Sequence, residues 1–254
     1  MKFRILGSGT SSGVPRIGND WGSVDPLDPR NRRSRASALA SVGEKRLLID
    51  AGPDLREQLN AAGVGSVDRV IVTHDHADHI HGLDDLRQIA HNRGDQVPLF
   101  GRADLLERLV PRFRYLFEGN ALYPAVVRSD VIEGEWEWEG LRLRFTDQPH
   151  GRITSLGIRF DQGARSLVYA IDFVELTDAM ASLYAGTDVW IADCLRRRPH
   201  PTHAHLDAVL GWARELKVGQ LLLTHLDNSM DHTQLVRELP DWAAPAWDGL
   251  EIEI

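Results

Sequence analysis

The chain is almost without cysteine: its 254 residues include one, Cys194. A single thiol excludes an intrachain disulfide, and nothing in the cysteine content indicates an oxidising compartment. No run of roughly 18 apolar residues occurs, so no membrane-spanning helix is expected. The opening residues, MKFRILGSGT, lack the apolar stretch of a secretory signal, and we therefore expect a cytoplasmic protein.

Basic residues are fewer than acidic ones. Lysine and arginine number 29 against 37 acidic residues, which gives a net charge of −8. The overall field of an acidic protein opposes binding to nucleic acids and anionic membranes, so neither is expected as a partner. At 43% hydrophobic residues, a chain of this length can still bury a substantial core.

Short apolar runs predict nine strands, and helical spacing of apolar residues predicts five helices. The strands are expected at 2–6, 46–50, 69–73, 141–146, 153–160, 166–171, 187–192, 220–224 and 250–254, and the helices at 53–62, 83–91, 103–113, 206–216 and 232–239. Residues 7–35, rich in Gly, Ser, Pro and Arg, predict a long loop. This order predicts an α/β fold, a four-layer α/β/β/α sandwich formed by a single domain over residues 1–254.

What the chain does contain is an unusual concentration of histidine. The stretch THDHADHIHG, residues 73–82, holds four histidines and two aspartates directly after an apolar strand. Three later strands also end in such residues: FTDQPHG at His150, YAIDF at Asp172 and LLLTH at His225. Imidazole and carboxylate bind divalent cations, and strand ends can bring distant parts of a sequence to one site.

Two metal ions are expected rather than one. Two residues apart in an extended segment, His74 and His76 can direct both rings to the same ion. Asp78 and His79 follow a turn of the chain and can reach a second ion. Zinc or manganese is expected at both positions. The later strand ends complete the predicted ligand set: His74, His76, Asp78, His79, His150, Asp172 and His225. His81 and His91 are expected on a helix surface or beside the site, and His232 is expected to be a solvated residue of the last helix.

On these motifs the chain resembles the metallo-β-lactamase superfamily over nearly its whole length. THDHADH is similar to the signature of that superfamily, and IDAG, residues 49–52, is similar to the strand before it, with Asp50 beside the ligands. The resemblance implies the metallo-β-lactamase sandwich with two metal positions. It assigns His74, His76 and His150 to the first metal, Asp78, His79 and His225 to the second, and Asp172 to both.

Within that superfamily the phosphodiesterases are more similar. LGSGTSSGVPRIG and DPRNRRSRAS resemble the N-terminal segment of the PhnP-like phosphoribosyl 1,2-cyclic phosphate phosphodiesterases of phosphonate breakdown, and tRNase Z shares a related opening. THAHLDAVLGWARELKVGQLLLTHL resembles a late motif of both groups. A histidine of that motif serves as an acid, and His203 stands in its place.

One segment departs from the PhnP-like pattern. Those proteins often hold a structural zinc with three cysteines of a GCDCPVC-type loop and a later histidine. Here the loop reads GNDWGSV, with Asn19, Trp21 and Val24 at the cysteine positions and Asn228 at the histidine position. Because all four ligands are missing together, we expect no structural zinc.

The sequence therefore predicts a binuclear phosphodiesterase that hydrolyses a small cyclic phosphodiester by attack of a metal-bridging hydroxide. Asp78 is expected to orient the hydroxide or take its proton. His203, partnered by Asp193, is expected to act as general acid, with His205 in reserve. The GSGTSSG loop and a group of arginines either bind the substrate phosphate or serve as an ordinary turn and surface pairs: Arg30, Arg32, Arg33 and Arg35.

Other functions stay open on the sequence. A tRNase Z-like endoribonuclease needs a protruding basic arm, and no such insertion occurs between Asp172 and His225. A β-lactamase or thioester hydrolase shares the implied fold, but β-lactamases tend to have cysteine where Asp172 stands. A non-enzymatic metal-binding protein does not account for the candidate acid. Related proteins are often dimers, and a homodimer is left open.

Overall fold

The computed structural model describes residues 1–254, which form fourteen strands and eight α-helices. The strands are β1 Lys2–Gly7, β2 Ser37–Val42, β3 Lys45–Ile49, β4 Arg69–Ile71, β5 Val97–Gly101, β6 Val127–Val131, β7 Trp136–Trp138, β8 Leu141–His150, β9 Ile153–Gln162, β10 Arg165–Ala170, β11 Val189–Asp193, β12 Gln220–Thr224, β13 Ala243–Pro245 and β14 Glu251–Glu253. The helices are α1 Leu55–Ala62, α2 Ala77–Ile80, α3 Leu86–Arg93, α4 Ala103–Arg112, α5 Arg114–Phe117, α6 Asp178–Tyr184, α7 Leu206–Glu215 and α8 His232–Glu238.

The strands form two mixed sheets of seven. The first has the order β14-β1-β2-β3-β4-β5-β6, and the second has the order β13-β12-β11-β10-β9-β8-β7. Neighbours from β3 to β6 and from β10 to β13 are parallel, whereas the other pairs are antiparallel. Parallel strands end at the same edge of a sheet, so each sheet has one edge at which several strand ends meet.

Alternation of apolar side chains explains the layers. In β3, Leu47 and Ile49 face the space between the sheets, whereas Leu48 faces the helices. In β10, Tyr169 faces inward and Val168 faces the helices on the other side. Strands that are apolar on both faces are buried on both faces. The two sheets flanked by helices confirm the predicted α/β/β/α sandwich.

The helices cover the outer faces of the two sheets. Apolar residues of α1, α3, α4 and α5 pack on the first sheet, and those of α6, α7 and α8 pack on the second. None of the helices combines the length and apolarity needed to span a bilayer.

All nine predicted strands and five predicted helices are present. The strand β12 has its predicted bounds and the other ends are shifted, and shorter elements were missed. The missed strands are β2, β5, β6, β7 and β13, and the missed helices are α2, α5 and α6. In β2 the sequence SALASV is rich in alanine and serine, which have little strand preference, although this strand pairs on both sides within the first sheet. The strand β8 extends to His150 instead of ending near residue 146.

The long N-terminal loop is fastened to the C-terminal region by Asp248. Its Oδ1 accepts hydrogen bonds from the backbone N–H and hydroxyl of Ser8, both at 2.8 Å. Its Oδ2 accepts the same pair of donors from Ser34, both at 2.7 Å. Burial raises the pKa of Asp248, and these donors offset part of that rise by stabilising the carboxylate.

We predict that Asp248→Ala lowers the free energy of unfolding by about 3 kcal/mol, because it leaves the donors of buried Ser8 and half-buried Ser34 without an acceptor. Urea denaturation measures the loss. The matched control is Asp130→Ala on the exposed edge strand β6, which should change stability by less than about 0.5 kcal/mol. Equal effects of the two substitutions would contradict the prediction.

Candidate metal centre

The histidine-rich motif lies where β4 ends. His74 and His76 precede α2, and Asp78 and His79 lie in its first turn. His76 has an extended backbone, with φ −69° and ψ 150°, so the chain changes direction immediately after it. His74, Asp78 and His79 are buried, whereas His76 is exposed and lies on the open side of the cluster.

The other predicted ligands come from the second sheet. His150 is the last residue of β8, and Asp172 and His225 lie just beyond β10 and β12. These three strands run in the same direction, so their ends meet at one edge. Asp172 and His225 adopt left-handed backbone conformations, with φ 56° and 59°, as does Asp50 after β3, with φ 62°. Each such conformation costs about 1–3 kcal/mol for residues other than glycine, so three strained residues lie in or beside the cluster of predicted ligands.

Four side chains surround a first position. Single donor atoms of His74, His76, His150 and Asp172 lie within 4.8 Å of one another. Nε2 of His150 is 3.1 Å from Nδ1 of His76 and 3.5 Å from Oδ1 of Asp172. Nε2 of His74 is 3.9 Å from the same Oδ1. Two ligand atoms about 2.1 Å from one tetrahedral ion lie about 3.4 Å apart, so these distances fit a shared cation.

Three side chains and the second oxygen of Asp172 surround another position. Donor atoms of Asp78, His79 and His225 lie within 4.8 Å of one another. Oδ2 of Asp172 is 3.2 Å from Nε2 of His79 and 3.6 Å from Nε2 of His225. The two carboxylate oxygens of Asp172 therefore face different groups of ligands, as a carboxylate shared between two cations requires.

Buried atoms without partners show that the residues fit divalent ions. Nε2 of His74, His79 and His225 and Oδ2 of Asp172 are buried and have no hydrogen-bond partner. Each such atom costs about 1–3 kcal/mol, and native proteins pair nearly all of them. A divalent cation is one partner that imidazole nitrogens and a carboxylate oxygen directed to the same small space can all bind at once.

Hydrogen bonds fix two of the imidazole rings. Nδ1 of His79 is 2.8 Å from Oδ2 of Asp50, and Nδ1 of His150 is 2.8 Å from the carbonyl oxygen of Thr202. A ring that donates through Nδ1 presents an unprotonated Nε2 to a cation. Asp50 was expected beside the ligands. The Thr202 carbonyl could not be found from the sequence, since every residue carries one.

Thr73 and Asp50 together connect the rings of His74 and His79 by hydrogen bonds. The hydroxyl of Thr73 donates to Oδ2 of Asp50 at 2.8 Å, and its oxygen lies 3.1 Å from Nδ1 of His74. The backbone N–H of Thr73 donates to the other oxygen of Asp50 at 2.8 Å. Asp50 thus orients His79 directly and His74 through Thr73.

The carboxylates hold protons on two histidines. Burial lowers the pKa of His225, but Asp172 and Asp78 outweigh burial and raise it to about 9. Burial likewise opposes the carboxylates around His79, which raise the pKa of that ring well above its usual range. Burial raises the pKa of Asp78, yet His79 and His225 lower it overall. A cation that binds these rings must displace their protons.

His203 lies beside the cluster, and His205 does not. Nδ1 of His203 is 2.9 Å from Oδ2 of Asp193, its predicted partner at the end of β11. The ring stacks on His225 with centroids 4.8 Å apart and an interplanar angle of 17°. His205 caps the N-terminus of α7, and no hydrogen bond or ring contact joins its side chain to the cluster.

The arginines considered for phosphate binding have other partners. Arg33 is 1% exposed and donates to two backbone carbonyls that follow β12, so phosphate binding by Arg33 is excluded. Arg30 and Arg35 form ion pairs with nearby aspartates at 2.9 and 2.7 Å, and Arg32 lies over the Trp21 ring. A run of basic residues shows in the sequence where positive charge lies, but it does not show which groups the arginines contact in the folded protein.

His232 was expected to be solvated, and this expectation is wrong. Its side chain is 2% exposed and packs edge-on against Trp247, with centroids 5.6 Å apart. The first turn of α8 lies against the N-terminal loop, where Asn31 accepts a hydrogen bond from the backbone of His232 at 2.8 Å. His81 and His91 are exposed, as expected.

Hydrogen bonds hold the loop for which no structural zinc is expected. The Trp21 indole donates to Asn19 at 3.1 Å, and the backbone N–H of Ser23 donates to the carbonyl oxygen of Asn228 at 2.9 Å. The amide of Asn228 donates to Asp20 at 3.2 Å. The residues at the four expected positions therefore lie in one region, and the absence of a zinc there stays a prediction.

Sequence reasoning missed a contact of Asp75, which lies between two predicted ligands. Nε of Arg108 is 3.0 Å from the Asp75 carboxylate, and Arg112 donates to the Asp75 carbonyl at 3.1 Å. The spacing of four residues places both arginines on one face of α4. This spacing was the feature of the sequence from which a shared partner of Arg108 and Arg112 could have been predicted. The contacts of the two arginines with Asp75 fasten α4 to the histidine-rich motif.

Comparison with known proteins agrees with this geometry. A family model described as a beta-lactamase superfamily domain matches residues 45–226, which include every predicted ligand. The chain belongs to this superfamily. A crystal structure described as a new diphosphatase from the PhnP family is 35% identical to the chain, with a TM-score of 0.90, and the match covers 100% of this chain and 97% of that one. At this identity and coverage, the chain also belongs to the PhnP family.

Two further relatives cover different shares of their own length. An octanoyltransferase from Porphyromonas gingivalis is 29% identical over 99% of this chain, but the chain spans only 51% of that protein. A ribonuclease Z from Mycobacterium bovis is 25% identical over 80% of this chain and 83% of its own length. Family and neighbours together support a metal-dependent hydrolase, and the histidine and aspartate clusters suggest divalent metals as cofactors.

We predict that metal loading at pH 7 releases protons and that metal affinity rises with pH. With its pKa raised to about 9, His225 is protonated at pH 7, and a cation competes with that proton. Raising the pH toward 9 removes the competition. Calorimetric titration in buffers of different ionisation enthalpy counts the released protons. Metal binding without proton release at pH 7 would contradict the pKa assigned to His225.

Proposed function

We propose that the protein is a two-metal phosphodiesterase that hydrolyses a small phosphodiester, such as a cyclic ribose phosphate. The observation that carries the proposal is the position of Asp172, whose two oxygens face different groups of ligands. A candidate general acid, His203, lies beside this arrangement. A paired cation site with an adjacent acid matches hydrolysis at phosphorus better than simple metal storage.

Divalent ions bound there would offset the charge of the phosphate and supply a water of lowered pKa for attack. Asp78 is suited to orient that water by accepting a hydrogen bond from it, because His79 and His225 lower the pKa of Asp78 and keep the carboxylate ionised. Exposed His76 marks the side from which a substrate reaches the cluster.

His203 is suited to protonate the departing oxygen. Asp193 binds Nδ1 and fixes the ring, so that a proton on Nε2 is available for donation. Stacking on His225 keeps this ring next to the second group of ligands. Because an alkoxide is a poor leaving group, an acid at this position lowers the barrier of the bond-breaking step.

We predict that His203→Ala lowers kcat about 10²- to 10⁴-fold for an alkyl phosphodiester and leaves the metal content unchanged. The loss should be much smaller for a p-nitrophenyl ester, whose leaving group departs without protonation. Steady-state kinetics and metal analysis provide the readouts. The matched control is His205→Ala, which should retain activity on both esters. Equal losses on the two esters would exclude the acid role of His203.

A diphosphatase is the second candidate function, because the 35% identical relative carries that description. A diphosphate also reacts at phosphorus, so the same ligands and acid would serve. An endoribonuclease is less favoured: the net charge is −8, and only α6, β11, α7, β12 and their connections lie between Asp172 and His225. The ribonuclease Z relative makes this a third outcome to test.

A substrate panel decides among these candidates. Zinc- or manganese-loaded protein should hydrolyse cyclic ribose phosphates or 2′,3′-cyclic nucleotides with a higher kcat/KM than inorganic or organic diphosphates, a pre-tRNA or a β-lactam. Asp172→Ala, which removes the shared carboxylate, should abolish the activity. Turnover confined to diphosphates would replace the phosphodiesterase proposal with the second candidate, and cleavage of the pre-tRNA would replace it with the third.

A further inference from the structure

Three buried polar side chains form a connected network directly behind Asp172. Gln148 and Tyr184 are 0% exposed and Ser155 is 2% exposed, although they come from β8, α6 and β9. The Tyr184 hydroxyl donates to Oε1 of Gln148 at 2.9 Å, and Nε2 of Gln148 donates to the Ser155 hydroxyl at 2.8 Å. Every polar group of the Gln148 amide therefore has a partner inside the second sheet.

The network ends on the backbone that carries Asp172. The Ser155 hydroxyl lies 3.0 Å from the carbonyl oxygen of Ile171 and 2.7 Å from that of Asp172. Nε2 of Gln148 also donates to the Ile171 carbonyl, at 2.9 Å. These carbonyls lie beyond the end of β10, where the sheet no longer supplies donors, so the side chains replace the missing strand partners.

The backbone held in this way is strained. Asp172 has φ 56°, a conformation that a residue with a side chain adopts at a cost and keeps only when its surroundings enforce it. This conformation turns the carboxylate away from the strand direction and into the ligand cluster. Hydrogen bonds to the carbonyls on both sides of the Asp172 N–Cα–C unit oppose its relaxation toward an extended backbone.

The sequence makes room for the network at Gly157. A Cβ atom at this position would collide with the Tyr184 hydroxyl and approach Oε1 of Gln148 within 2.8 Å. Polar side chains in a core stabilise a fold less than well-packed apolar ones unless each group is satisfied. A fully satisfied network that ends on one metal-facing residue points to a role in fixing that residue.

We propose that Gln148, Ser155 and Tyr184 are positioning residues that hold the Asp172 carboxylate between the two metal positions. This inference rests on the proposed function in one respect, that Asp172 is a shared metal ligand. Removal of the Ser155 hydroxyl leaves the Asp172 carbonyl without its donor and the Ile171 carbonyl with Gln148 alone. The backbone at Asp172 then relaxes, and the carboxylate moves away from one or both groups of imidazoles. Metal affinity then falls because the shared ligand is displaced, although all seven ligand side chains are still present.

The test compares Ser155→Ala with Ser166→Ala. Ser166 is a buried serine at the opposite end of β10, where its hydroxyl bonds to Asp188 and Thr187, far from the metal-facing edge. Both substitutions remove one buried hydroxyl, so both should lower stability to urea by a similar amount. Only Ser155→Ala should weaken metal binding, by about 10- to 100-fold in competition with a chelator, and alter the visible spectrum of the cobalt-substituted protein.

Ser155→Thr and Tyr184→Phe keep the test decisive if Ser155→Ala fails to fold. Ser155→Thr retains the hydroxyl and should restore metal affinity to near the wild-type value, whereas Tyr184→Phe removes the far end of the network and should weaken metal binding several-fold. Unchanged metal affinity and cobalt spectrum in the variants that fold would overturn the proposal. Wild-type protein that binds no pair of metals would instead overturn the proposed function, so the two failures are distinguishable.

Discussion

One carboxylate, that of Asp172, connects the two halves of the centre and sets the conditions for everything around it. It is 1% exposed, and a buried charge is costly unless it is paired. Protonated His79 and His225 supply that pairing among the residues themselves, and burial of Asp172 raises its pKa less than His225 and His79 lower it. The negative charge of the buried carboxylates stabilises protons on these rings, and the same negative charge favours the binding of divalent cations.

The fold brings this carboxylate to the ligands by turning the chain at strand ends. Asp50, Asp172 and His225 all have left-handed backbones, and each follows a strand that is apolar on both faces. Strain of this kind persists only on a rigid support. The three apolar layers of the sandwich provide that support, and they lie away from the edge where the polar groups meet.

The strands and the candidate ligands could be predicted from the sequence, because histidine or aspartate recurs where apolar strands end. The strand β12 has its predicted bounds, and the seven candidate ligands meet at one edge. These ligands could be found because imidazole and carboxylate groups rarely follow several apolar runs in one chain. Contacts made between distant segments could not be predicted. Ser155 and Gln148 look like ordinary strand residues, and Arg33 stayed one of several candidate phosphate ligands because composition does not reveal burial.

Arg33 shows how the N-terminal loop contributes to the centre without binding phosphate. Its guanidinium donates to the carbonyls of Asp227 and Met230, at 3.0 and 2.6 Å, directly after His225. Ser8 and Thr10 of the same loop exchange backbone hydrogen bonds with Leu226, the residue next to His225. The loop therefore supports the turn that carries His225, a predicted ligand, and hydrogen bonds hold the segment for which no structural zinc is expected. Under the proposed function, the substrate phosphate would bind on the open side, near His76 and His203, where the rings of the cluster reach solvent.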